Sequence, residues 1–222
     1  MKSVLVIAPH PDDETLGCGG TILRHIADGD EVHWLIATTM TPEYGYSASR
    51  IQLRAQEIET VRQRYGIKRV YQLNFPAAQL DAIPLSEIIG KFIDVFAECT
   101  PHTVYTPNPG DVHSDHSVVF EASTSCSKWT RSPSVKSVRV YETLSETELG
   151  MSPIIPAWNP NLFIDITDHL DAKISIMRLY GSEFKDFPFP RSEEAIRSQA
   201  KFRGTAAGVT AAESFTVLRE II

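Results

Sequence analysis

The sequence predicts an α/β protein with a mostly parallel sheet and helices on both faces, in a doubly wound, Rossmann-like arrangement. Short β-branched apolar runs alternate with segments of helical periodicity along the 222-residue chain. Strands that alternate with helices pair in parallel, because each helix crosses over the sheet. The first run, Ser3–Ala8, has no polar alternation, which indicates a strand buried on both faces. We expect residues 1–222 to form one domain with lid segments in its C-terminal part.

The predicted strands are short apolar runs bounded by turn residues. In chain order they are Ser3–Ala8, Val32–Ala37, Val70–Leu73, Thr103–Thr106, Val138–Thr143, Leu162–Ile166 and Phe215–Leu218. Loops at the carboxyl ends of strands usually carry specificity, so segments near this edge are lid candidates. The candidate lids are Met40–Tyr46, Glu146–Asn161 and Phe184–Arg191.

Helices are predicted where apolar residues recur every three to four positions between capping and breaking residues. Ser47, Thr167 and Ser192 are the predicted N-terminal caps, and Asp28-Gly29 ends the first helix. Pro84 suits a first helical turn. The predicted helices are Thr21–Ala27, Ser47–Tyr65, Pro84–Cys99, Ser117–Ser127, Asp168–Tyr180 and a last helix from Ser192.

Two polar clusters follow the first and the fourth predicted strands. Residues 9–14 read Pro-His-Pro-Asp-Asp-Glu, and the prolines hold an open turn there. The second cluster, residues 107–116, ends in His-Ser-Asp-His. The commonest doubly wound order makes the first and fourth strands neighbours, with the chain reversing direction between them. The two clusters should therefore face each other across a crevice at the carboxyl ends of the strands.

These clusters contain the ligands that zinc prefers, and a hydrolytic zinc needs three protein ligands and one open position. The most economical set is His10, Asp13 and His116. His113 could also face the metal, or it could face the substrate instead. Asp12 adjoins a ligand and points elsewhere, as expected of a general base. Asp115 could orient an imidazole.

Two other function classes match the sequence less well. A dinucleotide-binding fingerprint needs its glycines directly after the first strand, but the charged stretch Pro9–Gly17 intervenes. Its second strand should end in an acidic residue, whereas this one ends Ala37-Thr38-Thr39. A serine hydrolase elbow is suggested by Gly45–Ser49, which lacks the last glycine and a preceding strand.

Composition limits the partners. The net charge of −7 argues against nucleic acid or an anionic membrane as partner, and no apolar run is long enough to span a bilayer. The 3 widely spaced cysteines suit a reducing compartment, and no leader-like segment precedes the first strand. We therefore expect a cytoplasmic protein. A homo-oligomeric state and a small-molecule substrate are separate expectations.

The two polar clusters resemble those of the PIG-L/LmbE-like zinc-dependent deacetylases. Ala8–Glu14 is similar to that family's HPDDE-type motif, and His113-Ser114-Asp115-His116 to its HxDH motif. Arg54 and Glu57 resemble the family's R-x-x-E on the long helix. The likeness to a bacterial branch continues through Tyr141-Glu142, Asn161–Ile166, Tyr180–Glu183, Pro190–Ser192 and Arg203-Gly204, although Phe189 stands where that branch often has His.

The resemblance implies that His10, Asp13 and His116 bind one Zn²⁺, with Fe²⁺ or another divalent ion as the alternative. It further implies that Asp12 is general base and then general acid. Three more roles follow from it: His113 would stabilise the oxyanion, Asp115 would hydrogen-bond and orient His113, and Arg54 would help hold the substrate.

The implied reaction removes the acetyl group from an N-acetylglucosaminyl conjugate. Two alternatives stay open: a zinc hydrolase of another acylamide, and a non-catalytic module that binds a metal or a nucleotide sugar.

Overall fold

The computed structural model describes residues 1–151 and 157–222, which form a seven-stranded sheet in the order β3-β2-β1-β4-β5-β7-β6. The first five strands in the chain are parallel, and the last two pair antiparallel at one side. The predicted α/β class and the pairing of the first and fourth strands are confirmed. The strands are β1 (Ser3–Ala8), β2 (Glu31–Thr39), β3 (Arg69–Pro76), β4 (Thr103–Pro107), β5 (Ser137–Tyr141), β6 (Leu162–Asp165) and β7 (Ala212–Glu220).

The α-helices of the described residues cover both faces of the sheet. They are α1 (Asp13–Ala27), α2 (Ala48–Tyr65), α3 (Leu85–Cys99), α4 (Ser114–Cys126), α5 (Leu170–Met177) and α6 (Glu193–Ala207). Ser47 and Ser192 cap α2 and α6 as predicted, since their hydroxyls accept from the N–H groups of Arg50 and Ala195. Thr167 does not cap α5: its hydroxyl donates to Asp165, and a short 3₁₀ turn precedes the helix.

Helix α1 begins at Asp13, eight residues before the predicted start at Thr21. Gly17, Gly19 and Gly20 lie inside this helix, and their lack of a Cβ atom lets the helix approach its neighbours closely. A Cβ atom on Gly17 would lie 2.2 Å from the Tyr141 ring, and one on Gly20 would lie 2.5 Å from Ile166. These glycines therefore serve packing and do not form a phosphate-binding loop.

The central strand β1 is enclosed by two hydrophobic cores, one on each face. Its alternate residues Val4, Val6 and Ala8 belong to one core, and Leu5 and Ile7 belong to the other. Each fully buried Val, Leu or Ile side chain contributes roughly 1.5–3 kcal/mol. Strand β1 is therefore held rigidly, and the turn that follows it has a fixed starting point.

Part of the predicted lid Glu146–Asn161, namely residues 152–156, lies outside the described residues. Within the described ranges, each helix is either too short or too polar to cross a bilayer.

Candidate metal centre and active site

The two polar clusters meet at the carboxyl ends of β1 and β4. These strands pair in parallel, with Val4 opposite Thr103 and Val6 opposite Tyr105, so the turn after β1 and the loop after β4 leave the same edge. Ligand atoms of His10, Asp13 and His116 all lie within 4.8 Å of one another. The juxtaposition that the strand order predicts is therefore present.

A single oxygen of Asp13 lies between the two imidazoles. Its Oδ2 is 3.3 Å from Nδ1 of His10 and 3.3 Å from Nε2 of His116. Two ligand atoms at about 2.05 Å from a tetrahedral zinc lie about 3.3 Å apart, so these spacings suit a shared metal. Nε2 of His116 is also enclosed and lacks a hydrogen-bond partner within the described part of the chain. Both observations fit a metal ligand set.

Each imidazole is oriented by a carboxylate behind it. Nε2 of His10 lies 3.0 Å from Oδ2 of Asp115, and Nδ1 of His116 lies 2.7 Å from Oδ2 of Asp111. Because a carboxylate only accepts, those nitrogens carry a hydrogen, and the opposite nitrogens face Asp13 and become metal ligands once any proton on them is released. Asp111 is itself held by the hydroxyl of Thr147 at 2.6 Å.

The charges around Asp13 favour a cation. Burial alone would lower the pKa of His10, but hydrogen bonds to Asp115 and Asp13 raise that pKa to about 9. Burial likewise opposes protonation of His116, yet the charge of Asp13 and the bond to Asp111 raise its pKa to about 10. Burial would raise the pKa of Asp13, but the two imidazoles hold it well below its usual range. Positive charge is thus stabilised where the metal would bind.

Asp12 has a backbone conformation that few non-glycine residues adopt. Its φ is 125° and its ψ is −28°, which costs on the order of 1–3 kcal/mol. Hydrogen bonds hold both backbone polar groups of Asp12. The N–H of Asp12 donates to Oε2 of Glu14 at 3.0 Å, and its C=O accepts from the N–H of Leu16 at 2.9 Å. The buried Glu14 is fixed in turn by the Tyr180 hydroxyl at 2.8 Å.

The Asp12 side chain has one occupied oxygen and one free oxygen. Oδ2 accepts from Nη1 of Arg191 at 2.5 Å, whereas Oδ1 has no hydrogen-bond partner within residues 1–151 and 157–222; the side chain is 4% exposed and lines the cavity described below. Burial raises the pKa of Asp12 to about 8, although the charge of Arg191 opposes the rise. A carboxyl group with a pKa near neutrality and a free oxygen is suited to accept and return a proton.

The predicted hydrogen bond between Asp115 and His113 is made by the backbone N–H of Asp115 and not by its carboxylate. Its Oδ2 lies 4.0 Å from Nδ1 of His113 and accepts instead from His10 and from the N–H of Ala78 at 2.7 Å. Its Oδ1 accepts from the N–H of Leu80 at 3.1 Å. Asp115 is buried at the first turn of α4, where both oxygens turn inward toward these donors.

His113 is instead oriented by a backbone group. Its Nδ1 accepts from the N–H of Asp115 at 3.1 Å, so its hydrogen is on Nε2, which is available as a donor. The His113 ring stands edge-on to that of His10, with ring centroids 4.4 Å apart. Burial and the neighbouring charge of His10 lower the pKa of His113, so a neutral N–H donor is favoured over the imidazolium.

Arg54 lines the cavity in front of the candidate ligands and also bonds to several protein groups. Its Nη1 donates to the C=O of Pro11 at 2.8 Å, and its Nη2 donates to Glu183 at 2.6 Å and to Ser182 at 3.2 Å. Its Nε lies 3.1 Å from Oε2 of Glu57. With most of its N–H groups engaged, Arg54 joins the turn after β1 to the chain that follows α5.

A cavity of about 210 Å³ opens in front of these residues. His10, Asp12 and His113 line it on one side. Each predicted lid segment contributes to the other walls: Met40 and Tyr46 from the first, Glu146 from the second and Arg191 from the third. Reacting groups and lids therefore share one cavity.

Three residues of this site escaped the sequence analysis: Glu14, Asp111 and Arg191. Glu14 and Asp111 lie within the two polar clusters, so their closeness to the predicted ligands was an available signal. Arg191 is distant in sequence, and only its place in a candidate lid could have suggested it.

Comparison with known proteins agrees with this geometry. The family model described as "PIG-L: GlcNAc-PI de-N-acetylase" matches residues 5–127. A diacetylchitobiose deacetylase from Thermococcus kodakarensis is 26% identical over 220 residues, which is 96% of this chain and 82% of the relative. The structure of N,N'-diacetylchitobiose deacetylase from Pyrococcus horikoshii has a TM-score of 0.80 at 26% identity, covering 98% of this chain and 84% of that one.

The fold alone does not define the reaction. The 4-carboxy-2-hydroxymuconate hydratase GalB from Pseudomonas putida superposes with a TM-score of 0.74 at 20% identity, over 100% of this chain and 98% of that chain. The family match spans 5–127, which includes both polar clusters and the strands that bring them together. A 1D-myo-inositol 2-acetamido-2-deoxy-alpha-D-glucopyranoside deacetylase from Mycolicibacterium smegmatis is 23% identical over 240 residues, which is 85% of this chain and 82% of the relative. The chain belongs to the PIG-L family.

Proposed function

We propose that this protein is a metal-dependent hydrolase that removes the acetyl group from an N-acetylglucosaminyl-type amino-sugar conjugate. One observation carries the proposal: Asp12 and His113 line one cavity together with His10, whose ligand atom lies within 4.8 Å of those of Asp13 and His116. The family membership supports the reaction class, and the printed activities of the relatives support an amino-sugar substrate.

We propose that the resident ion is one Zn²⁺, held by His10, Asp13 and His116. Two imidazoles and one carboxylate are a set that zinc hydrolases use, with a place left for water. When bound, Zn²⁺ would polarise the amide carbonyl and lower the pKa of a coordinated water from about 15.7 toward about 7. Fe²⁺ accepts the same ligand types and is the alternative ion.

The proposed roles of the other residues follow from their donors and acceptors. Oδ1 of Asp12 accepts a proton from the attacking water and returns it to the departing amine, which leaves only when protonated. Nε2–H of His113 donates to the amide oxygen as negative charge develops there, a contribution of roughly 3–4 kcal/mol for such a donor. Asp115 positions His10 through its carboxylate and His113 through its backbone N–H.

We propose that Arg54, which lines the cavity, helps hold the substrate and also positions the turn after β1 through its bond to Pro11. The carboxylates of Glu146 and Glu183 line the cavity and can accept hydrogen bonds from the hydroxyl groups of a sugar. We also propose that residues 1–222 work as one domain, as a homo-oligomer and in the cytoplasm. Free, buried cysteines at positions 18, 99 and 126 support the reducing compartment.

The test combines metal analysis with acetate release. Purified wild type, His10→Ala and Asp12→Asn are analysed for bound metal and then offered a panel of N-acetylhexosaminyl conjugates and unrelated acylamides. The proposal expects metal and acetate release in the wild type, loss of metal in His10→Ala, and retained metal without turnover in Asp12→Asn. Turnover confined to unrelated acylamides would identify a different amidohydrolase, and metal without any turnover would identify a binding module.

A further inference from the structure

Arg191 connects the C-terminal part of the chain to the candidate general base. It directly precedes Ser192, the N-terminal cap of α6, so its backbone lies at a fixed point of the fold. Its side chain is 16% exposed and lines the cavity. It lies beyond residues 5–127, the part of the chain that the family model matches.

Polar groups on several segments surround the guanidinium of Arg191. Nη1 donates to Oδ2 of Asp12 at 2.5 Å and to Glu183 at 3.3 Å. Nη2 donates to Glu146 at 3.3 Å, and Nε donates to the hydroxyl of Ser145 at 2.7 Å. The planar guanidinium is thus fixed by hydrogen bonds to several acceptors at once, and a lysine ammonium could not reproduce this planar arrangement of donors.

The hydrogen bond from Arg191 occupies one of the two carboxylate oxygens of Asp12. An aspartate side chain can rotate about χ1 and exchange its oxygens about χ2, so the strained backbone does not by itself select an orientation. The bond from Arg191 holds Oδ2 and leaves Oδ1 without a partner among the described residues. A reacting group that is misplaced by about 1 Å can lose about 100-fold in rate, so such selection matters.

We propose that Arg191 is a positioning residue for Asp12, holding Oδ2 so that Oδ1 is the oxygen that exchanges protons with the substrate. This inference rests on the proposed function, in which Asp12 is the general base. Arg191 also balances the negative charges of Glu146 and Glu183, which would otherwise repel the carboxylate of Asp12.

The experiment compares Arg191→Gln, Arg191→Lys and Arg191→Ala with the wild type, all loaded with metal. Arg203→Gln is the matched control, because Arg203 also pairs with a buried carboxylate, Glu142, at 2.8 and 2.6 Å, but does not line the cavity. We expect kcat to fall about 10- to 100-fold in Arg191→Gln with little change in KM. Arg191→Lys should retain more activity, and guanidinium ion should partly restore Arg191→Ala.

A second readout does not depend on turnover. In crystal structures, Asp12 should change its side-chain rotamer or become disordered in Arg191→Gln while His10, Asp13 and His116 stay in place. An unchanged Asp12 rotamer in that variant overturns the proposal. So does an equal loss of kcat in Arg203→Gln, or the absence of guanidinium rescue in a folded Arg191→Ala. If the wild type deacetylates nothing, the proposed function fails, and the Asp12 rotamer still decides the positioning role.

Discussion

Metal binding should release about two protons at pH 7, because both ligand imidazoles are protonated in the metal-free protein. The pKa is about 9 for His10 and about 10 for His116, and a metal binds only neutral imidazole. Removing both protons at pH 7 costs roughly 7 kcal/mol at about 1.4 kcal/mol per pH unit. This cost shrinks as the pH rises toward the two pKa values.

The assay is calorimetric titration of the metal-free protein with Zn²⁺ in buffers of different ionisation enthalpy. Kd should fall about 100-fold per pH unit near pH 7 and level off above about pH 9 to 10. Asp111→Asn should reduce the proton release and weaken metal binding about 10- to 100-fold, since it removes the hydrogen bond to His116.

The control is Asp30→Asn, which breaks a similar pair with His25 at 2.9 Å at a place remote from the ligand set. It should leave both the proton release and Kd unchanged. Release of fewer than about one proton, together with a pH-independent Kd, would refute the reasoning, because the imidazoles would then already be neutral.

Three further predictions concern stability and rate. In the metal-free protein the raised pKa values of His10 and His116 contribute stability that is fully present below the unfolded-state pKa of 6.5. Thermal denaturation should therefore show Tm falling as the pH rises through about 9 to 10. A constant Tm would contradict this. His113→Ala should lower kcat about 10²- to 10³-fold with metal content unchanged, as measured by acetate release, and a wild-type rate would remove His113 from the mechanism. Gly17→Ala should lower the free energy of unfolding by about 1–3 kcal/mol in urea, because its Cβ would lie 2.2 Å from Tyr141, whereas Gly90→Ala, which has open space, should not.

Local patterns were sufficient for most of the fold. Apolar runs and helical stripes are short-range features, and they located each strand and most helices to within a few residues. The start of α1 was missed because glycine usually breaks helices. Here the close packing of α1 against Tyr141 and Ile166 requires residues without a Cβ atom. This tertiary packing outweighs the low helix propensity of glycine.

The candidate site, like the fold, could be predicted only in part from local patterns. The meeting of the His10 and His116 clusters follows from strand order, which β–α alternation predicts. The partner of Asp115 does not follow from spacing, because a carboxylate two residues from His113 can turn toward either imidazole. Its bonds to the N–H groups of Ala78 and Leu80 turn it toward His10.

By itself the sequence determined the fold class, the meeting of two polar clusters and the three candidate ligands. Those features depend on periodicity, on chain direction and on side-chain chemistry, all of which are local. Only the tertiary structure decided how Asp115, Arg54 and Arg191 are used. A hydrogen bond depends on tenths of an ångström and on competing partners far away in sequence, and the packed fold alone brings those partners together.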